Sequence, residues 1–242
     1  MKHTVGAISL DVNFALKEPW TVLFGPSGSG KTTVLRAIAG FVRPNEGLIV
    51  RGPQILVDYK AGIFLPAFRR PVRTAGQIAR LFPHRTVRQN VSYGTGWNSK
   101  PDDVREVVDE VMELFRLSAV AERKPRDLSG GERQRVSVAR AVASAVMADC
   151  AQRALLLLDE PFSGLDNVMR DELLAKLREW LKRWKTPVLS VTHDVGEAFQ
   201  LGAEVIKIAG GRVVQQGPVG EVLAEERARL LEQLNAAKKS PA

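Results

Sequence analysis

Apolar and polar positions alternate along this chain with two periods, one strand-like and one helical. Residues 7–16 alternate strictly enough to predict a half-buried strand. WTVLF at Trp20–Phe24 is a short apolar run, GPSGSGKT follows as a glycine-rich turn, and TTVLRAIAG shows helical spacing that ends at Gly40. Strand, glycine loop and helix in that order open an α/β domain. Farther on, ALLLLDEP at Ala154–Pro161 and PVLSVTHD at Pro187–Asp194 predict two buried strands, each ending in polar residues. EVIKIAGGRVVQQG predicts a hairpin that turns at Gly210 and Gly211.

The middle of the chain is helical from about Val87 to Ala148, where DDVREVVDEVMELFRL and ERQRVSVARAVASAVM repeat their apolar residues every three to four positions. This pattern predicts a helical subdomain, about 77–149, inserted into an α/β core at about 1–76 and 150–220. The last segment, 221–242, predicts a charged amphipathic helix with a basic end.

Composition narrows the class. The chain has 242 residues, 45% hydrophobic and 26% charged, the profile of a soluble globular protein. Its longest apolar run, near Ala154–Leu158, is far below the roughly 18 residues that cross a bilayer. The start, MKHTVGAISLDV, lacks the features of a secretory signal. Cys150 is the only cysteine, which excludes an intrachain disulfide and fits a small buried residue in a reducing cytosol. The net charge of +8 is dispersed, with short clusters at Phe68–Arg70 and Lys238–Lys239. No aromatic residues interleave with them as a base-stacking surface would need. A basic surface suits a phosphate ligand or an anionic membrane face equally well, so charge alone decides nothing.

The chemistry concentrates in three stretches. Gly25–Thr32, GPSGSGKT, satisfies G-x-x-x-x-G-K-[ST] between a strand and a helix, the setting of a phosphate-binding loop. Its glycines let backbone N–H groups turn toward phosphates, Lys31 reaches the β- and γ-phosphates, and the Thr32 hydroxyl suits Mg²⁺. The strand ending at Asp159 and Glu160 brings carboxylates beside that loop, Asp159 for the metal and Glu160 for the attacking water. The third stretch, DLSGGERQR at Asp127–Arg135, is a second glycine-rich helix start and therefore a second anion site. Ser129 with Glu132 also reads as a capping box, and both roles are compatible.

With LSGGERQR lying ahead of LLLLDEP, the chain resembles the ATP-binding subunits of ABC transporters over almost its whole length. That resemblance implies a P-loop NTPase (RecA-like) α/β core with an inserted helical subdomain, ATP and Mg²⁺ as cofactors, and ATP hydrolysis coupled to transport. It implies that Gly25, Pro26, Ser27, Gly28, Ser29, Gly30, Lys31, Thr32 and Thr33 hold the nucleotide. Ser129, Gly130 and Gly131 then cap the γ-phosphate held by a second copy in a head-to-tail dimer. Gln77 matches the glutamine that senses Mg²⁺ and the attacking water, Asp166 the aspartate of the loop joining the two subunits, and His193 the histidine at the γ-phosphate. Leu81, Phe82 and Pro83 match a groove for a permease helix, with core packing the equal alternative, and His84 has no assigned chemistry. The implied partners are integral membrane permease subunits and, indirectly, an extracytoplasmic solute-binding protein, with no nucleic-acid partner expected. The implied location is the cytoplasmic face of the cell membrane.

GIFLPAFRR followed by ARLFPHRTVRQNV resembles molybdate importer subunits, and the same pattern recurs in subunits for sulfate, iron and polyamines. ABC ATPases of DNA repair or translation are the competing class, but they usually carry a long coiled-coil insertion or two cassettes. A small-molecule kinase would leave LSGGERQR and His193 without a role. Three departures stand out. Val5 occupies the place of the usual adenine-stacking aromatic, with His3 or Phe14 as substitutes. VRTAG replaces the apolar strand expected before Gln77, which puts pairing there in question. MADCAQR lengthens the loop ahead of the Asp159 strand. The chain leaves no room after its helical tail for the regulatory domain that molybdate importer subunits often carry.

Overall fold

The computed structural model describes residues 1–6, 8–96, 100–148, 153–202 and 204–239. The chain begins with β1 (Lys2–Val5), β2 (Ile8–Asp11), β3 (Trp20–Phe24) and α1 (Lys31–Ala39). Next come β4 (Leu48–Arg51), β5 (Gln54–Asp58), β6 (Ile63–Phe64) and β7 (Val72–Ala75). The helical stretch supplies α2 (Val87–Val91), α3 (Pro101–Leu114) and α4 (Gly130–Val146). The sheet resumes with β8 (Leu155–Asp159), α5 (Asn167–Arg183), β9 (Val188–Thr192), α6 (Val195–Leu201), β10 (Glu204–Ala209) and β11 (Arg212–Pro218). Two helices follow, α7 (Val219–Val222) and α8 (Ala224–Lys239).

The main sheet runs β1-β2-β11-β10-β3-β9-β8-β7, and β10, β3, β9, β8 and β7 pair in parallel. β4-β5-β6 make a separate antiparallel sheet. Helices cover both faces of the parallel part, so its strands are apolar on both sides. β8 shows why an unbroken leucine run was needed. Leu155 and Leu157 enter the core shared with Val34 and Ile38 of α1, while Leu156 and Leu158 enter the larger core shared with α3, α4 and α5. Each such leucine contributes about 1.5–3 kcal/mol on burial.

Three expectations change. β2 ends at Asp11, although the alternation continues to Leu16: its pairing with β11 rests on Asp11 and Arg212, so no ladder extends the strand. VRTA does form a strand, β7, in parallel register with Leu155–Leu158. β7 is the outermost strand and has one neighbour, so it needs only Val72 and Ala75 buried. Arg73 turns its Nε to Ser144 Oγ of α4 at 2.7 Å. The β4-β5-β6 sheet had no counterpart in the sequence pattern, because its short strands are half exposed.

Arg70, part of the short basic cluster in the sequence, is 2% exposed. Its Nη1 donates to Ala37 O (2.7 Å) and Ile38 O (2.8 Å), its Nε to Leu65 O (2.7 Å), and its Nη2 to Leu56 O (3.4 Å). It thus adds donors to the carbonyls at the end of α1, where Ala37 O also accepts from Gly40 N–H at 3.2 Å. Arg70 thereby ties α1 to the antiparallel sheet. Arg70→Met should destabilise the protein by about 1–3 kcal/mol, because buried carbonyls such as Ile38 O lose a donor. A lower urea midpoint at unchanged slope is the expected result, and an unchanged midpoint would contradict it.

Candidate nucleotide-phosphate site

The parallel strands β3, β7, β8 and β9 end at one edge of the sheet, and the chain leaving them carries Gly25–Gly30, Gly76–Gln77, Glu160 and His193 in turn. Ligand sites of such sheets lie at that edge. Close packing explains two of the loop's glycines. A Cβ on Gly25 would sit 2.2 Å from Ile208 O, and one on Gly30 would sit 2.2 Å from Leu10 Cδ2. Gly30 also has φ 95°, in the left-handed region that favours glycine, immediately before α1.

Lys31 is 5% exposed, and its Nζ donates to Gly25 O and Pro26 O at 2.8 Å each. The ammonium is thereby curled back over the loop. Burial lowers its pKa, and the carboxylates of Glu160 and Asp159 push the other way. Ser29 Oγ is buried without a hydrogen-bond partner, an orphan polar atom inside the cradle. Phosphate oxygens would satisfy both groups, and backbone N–H groups at the start of α1 face the same space.

Thr32 Oγ1 donates to Asp159 Oδ1 at 3.2 Å. Asp159 is 8% exposed, and burial raises its pKa, with Glu160 adding to the rise against the Thr32 hydrogen bond and Lys31. A hydroxyl and a carboxylate beside a phosphate cradle form a hard oxygen donor set that suits Mg²⁺ completed by phosphate and water. No cluster of three or more His, Cys, Asp or Glu side chains able to hold a metal occurs among the described residues. A cation here would therefore depend on the nucleotide for its remaining ligands.

Glu160 is the point of convergence. Gln77 Nε2 donates to its Oε2 at 3.1 Å, and His193 Nδ1 lies 3.0 Å from its Oε1, a contact that needs the proton on Nδ1 when the ring is neutral. Its backbone adopts φ 46°, left-handed for a residue with a side chain, while its N–H donates to Val191 O at 3.1 Å. Chain from the ends of three strands thus meets at one carboxylate. Such an arrangement can orient a water and take its proton.

The second glycine-rich start forms the expected cap. Ser129 Oγ accepts from Glu132 N–H at 3.2 Å, and Glu132 Oε2 accepts from Ser129 N–H at 2.7 Å. That Ser129 N–H is the main cause holding the Glu132 carboxyl below its usual range. Asp166 caps α5 by accepting from Met169 N–H at 2.9 Å. The helix starts at Ser129 and Asp166 adjoin each other: a Cβ on Gly131 would lie 3.3 Å from Leu165 Cδ2.

Gln134, which the sequence did not single out, donates from Nε2 to Gly76 O at 3.3 Å and links α4 to the chain before Gln77. The periodicity of α4 showed only that position 134 was helical. Leu81 packs on the larger core, Phe82 stacks 4.3 Å from Tyr93 with Arg140 over it, and Pro83 and His84 are exposed. Among the possible base contacts, the Val5 side chain lies outside the described residues. His3 Nδ1 is buried without a hydrogen bond, and Phe14 packs on the α1 core. Cys150 also lies outside the described residues, as do positions 149–152 of the lengthened loop. No helix among the described residues is long and apolar enough to cross a membrane.

Comparison with known proteins identifies the family. The chain is 38% identical to the molybdenum import ATP-binding protein ModC of Mesorhizobium japonicum, covering 93% of this chain and 60% of that one. For ModC of Rhodospirillum rubrum the identity is 40%, covering 90% and 57%. The chain therefore spans about three-fifths of the length of these curated relatives. Among solved structures, the dimeric bacterial ABC transporter cassette MJ0796 matches with a TM-score of 0.72 and 26% identity over 90% of this chain and 95% of that one. The same cassette in a post-hydrolysis state, bound to ADP and Pi, matches equally well. The ABC transporter family model matches residues 9–163. This protein belongs to the ABC transporter family.

Proposed function

We propose that the chain hydrolyses Mg-ATP as one half of a head-to-tail homodimer and thereby drives import of molybdate or a similar oxyanion through a membrane permease. The observation that carries this reading is the convergence of Gln77 and His193 on Glu160, beside the buried Thr32–Asp159 pair. Lys31, Ser29 and the N–H groups of residues 25–33 hold the phosphates. Thr32 and Asp159, with Gln77 nearby, hold Mg²⁺, which when bound neutralises phosphate charge. Glu160 accepts the proton of the attacking water, Gln77 orients that water, and His193 fixes the carboxylate and reaches toward the γ-phosphate. Ser129, Gly130 and Gly131 of each copy close over the nucleotide of the other, and Asp166 lies on the joining loop.

Closure drives transport only if ATP binds the closed pair more tightly than the open one. The dimeric MJ0796 cassettes support the pairing, and the ModC relatives support molybdate as cargo. We further infer an α/β core at about 1–76 and 150–220, a helical subdomain at about 77–149, and a peripheral position on the inner membrane face. The solute-binding protein is reached through the permease. Pull-down of the tagged protein from detergent-solubilised host membranes with ATP is expected to recover an integral membrane subunit, whose identity reports the cargo. Recovery of ribosomes or DNA-repair proteins in its place would overturn the transport reading and leave the ATPase chemistry standing.

A further inference from the structure

Glu197 lies on α6 at 6% exposure, in the turn that follows His193. Its Oε2 accepts from Thr192 Oγ1 at 2.9 Å, and its N–H donates to Asp194 Oδ1 at 2.8 Å. Asp194 N–H in turn donates to Thr192 Oγ1 at 3.1 Å. Thr192, Asp194 and Glu197 thus close a hydrogen-bonded ring around the residue that touches Glu160. The ring is incomplete, because Glu197 Oε1 is buried without a partner.

The missing partner stands on the neighbouring helix. Arg170, in the first turn of α5, reaches Asp194 Oδ2 with Nη1 at 3.5 Å. Its Nε is buried without a hydrogen bond, with Asp171 Oδ1 3.5 Å away. Asp171 and Asp194 thus lie 3.5 Å from one guanidinium, whose charge also acts on Glu197, and Arg170 serves none of the three carboxylates fully. Such a half-satisfied charge cluster is costly if fixed and informative if it moves. Arg170 is joined to the cap of α5, its N–H donating to Asp166 O at 3.0 Å.

We propose that Arg170 and Glu197 are positioning residues for His193: the guanidinium is shared between Asp194 and Glu197, and that choice sets whether His193 stays against Glu160. With Glu197 neutral, Arg170 remains on Asp194, the ring stays closed and the His193–Glu160 contact is held. When Glu197 ionises, its orphan oxygen draws Arg170 away from Asp194, and the His193 loop loosens. Among the described residues, the charged groups facing Glu197 are Arg170 from α5 and Asp194 and His193 from its own loop, while β9 contributes the Thr192 hydroxyl. Burial pushes the Glu197 carboxyl up to about 7, against the Thr192 hydrogen bond and Arg170, so the neutral form dominates below that pH and is lost above it.

The kinetic consequence rests on the ATPase reading of Glu160 and His193. Between pH 6.5 and 8.5 the parent should lose about fivefold in kcat, about 1 kcal/mol of barrier, with KM for ATP unchanged. Glu197→Gln keeps the acceptor for Thr192 and stays neutral, so this alkaline decline should vanish. Arg170→Leu should abolish it too, and Arg170→Lys should restore it. A purely structural role would scale kcat at every pH and leave the shape of the profile alone. That outcome, an alkaline limb identical in parent and Glu197→Gln, overturns the proposal.

A second readout does not depend on hydrolysis. The His193 ring signals, assigned by their loss in His193→Asn, should show an inflection near the Glu197 titration that is absent in Glu197→Gln. Identical His193 titrations in both proteins would refute the coupling. Failure of the parent to hydrolyse ATP at all would count against the ATPase function, while the His193 titration would still decide the positioning role.

Discussion

Glu160→Gln is expected to slow ATP hydrolysis by at least about a thousandfold, about 4 kcal/mol of barrier, while ATP binding stays intact. The amide keeps the shape of the side chain, and its oxygen can still accept from Gln77 or His193, the partners now 3.1 and 3.0 Å from the carboxylate. What it loses is the ability to take a proton. Lys31 and the Thr32–Asp159 pair keep their hydrogen bonds in that variant, and removing the Glu160 charge takes away a repulsion toward phosphate, so nucleotide affinity should not fall. Stalled hydrolysis should also leave the closed pair populated. Light scattering should then show an ATP-dependent dimer of the variant that disperses when ATP is removed. Single-turnover rates within tenfold of the parent would remove Glu160 from the chemistry. A variant that stays monomeric at saturating Mg-ATP, with or without the permease, would refute the shared site.

Ser129→Asp separates the two roles of the second glycine-rich start. Aspartate is as good an N-cap as serine, so α4 should keep its start and the melting temperature should barely move. The new carboxylate, however, would face the γ-phosphate of the second copy. Like charges about 4 Å apart repel by on the order of 4 kcal/mol at an effective dielectric of 20, enough for about a thousandfold loss of hydrolysis. Nucleotide binding to the separated chain should persist, since the Gly25–Thr33 loop holds it alone. Ser129→Ala gives the converse pattern, with about 1 kcal/mol of stability lost and no added charge. Full hydrolysis by Ser129→Asp would reduce Ser129–Gly131 to a cap and nothing more.

The strands that carry the candidate site were legible because burial on both faces forces an unbroken apolar run. WTVLF, LLLLD and VLSVT are β3, β8 and β9, and each leads directly into a candidate residue. β7 was harder to read: as the outermost strand it tolerates Arg73 and Thr74, which broke the pattern. Arg70 was illegible for a different reason. Nothing in FRR distinguishes a guanidinium in water from one that meets four carbonyls. Glu197 carried no signal in the sequence, and only its burial exposes it. The meeting of Gln77 with Glu160 spans 83 positions along the chain, and that of His193 spans 33. Spacing in the sequence does not encode such distances. The family likeness supplied them, and the folded chain brings all three side chains together.

The left-handed backbone at Glu160 sets evolution and engineering at odds. Glycine or asparagine would adopt φ 46° with less strain, and strain of this kind amounts to about 1–3 kcal/mol. Selection for heat resistance alone would therefore favour losing the one carboxylate on which Gln77 and His193 converge. Position 160 is a place where a library scored for folding and a library scored for turnover should return different amino acids.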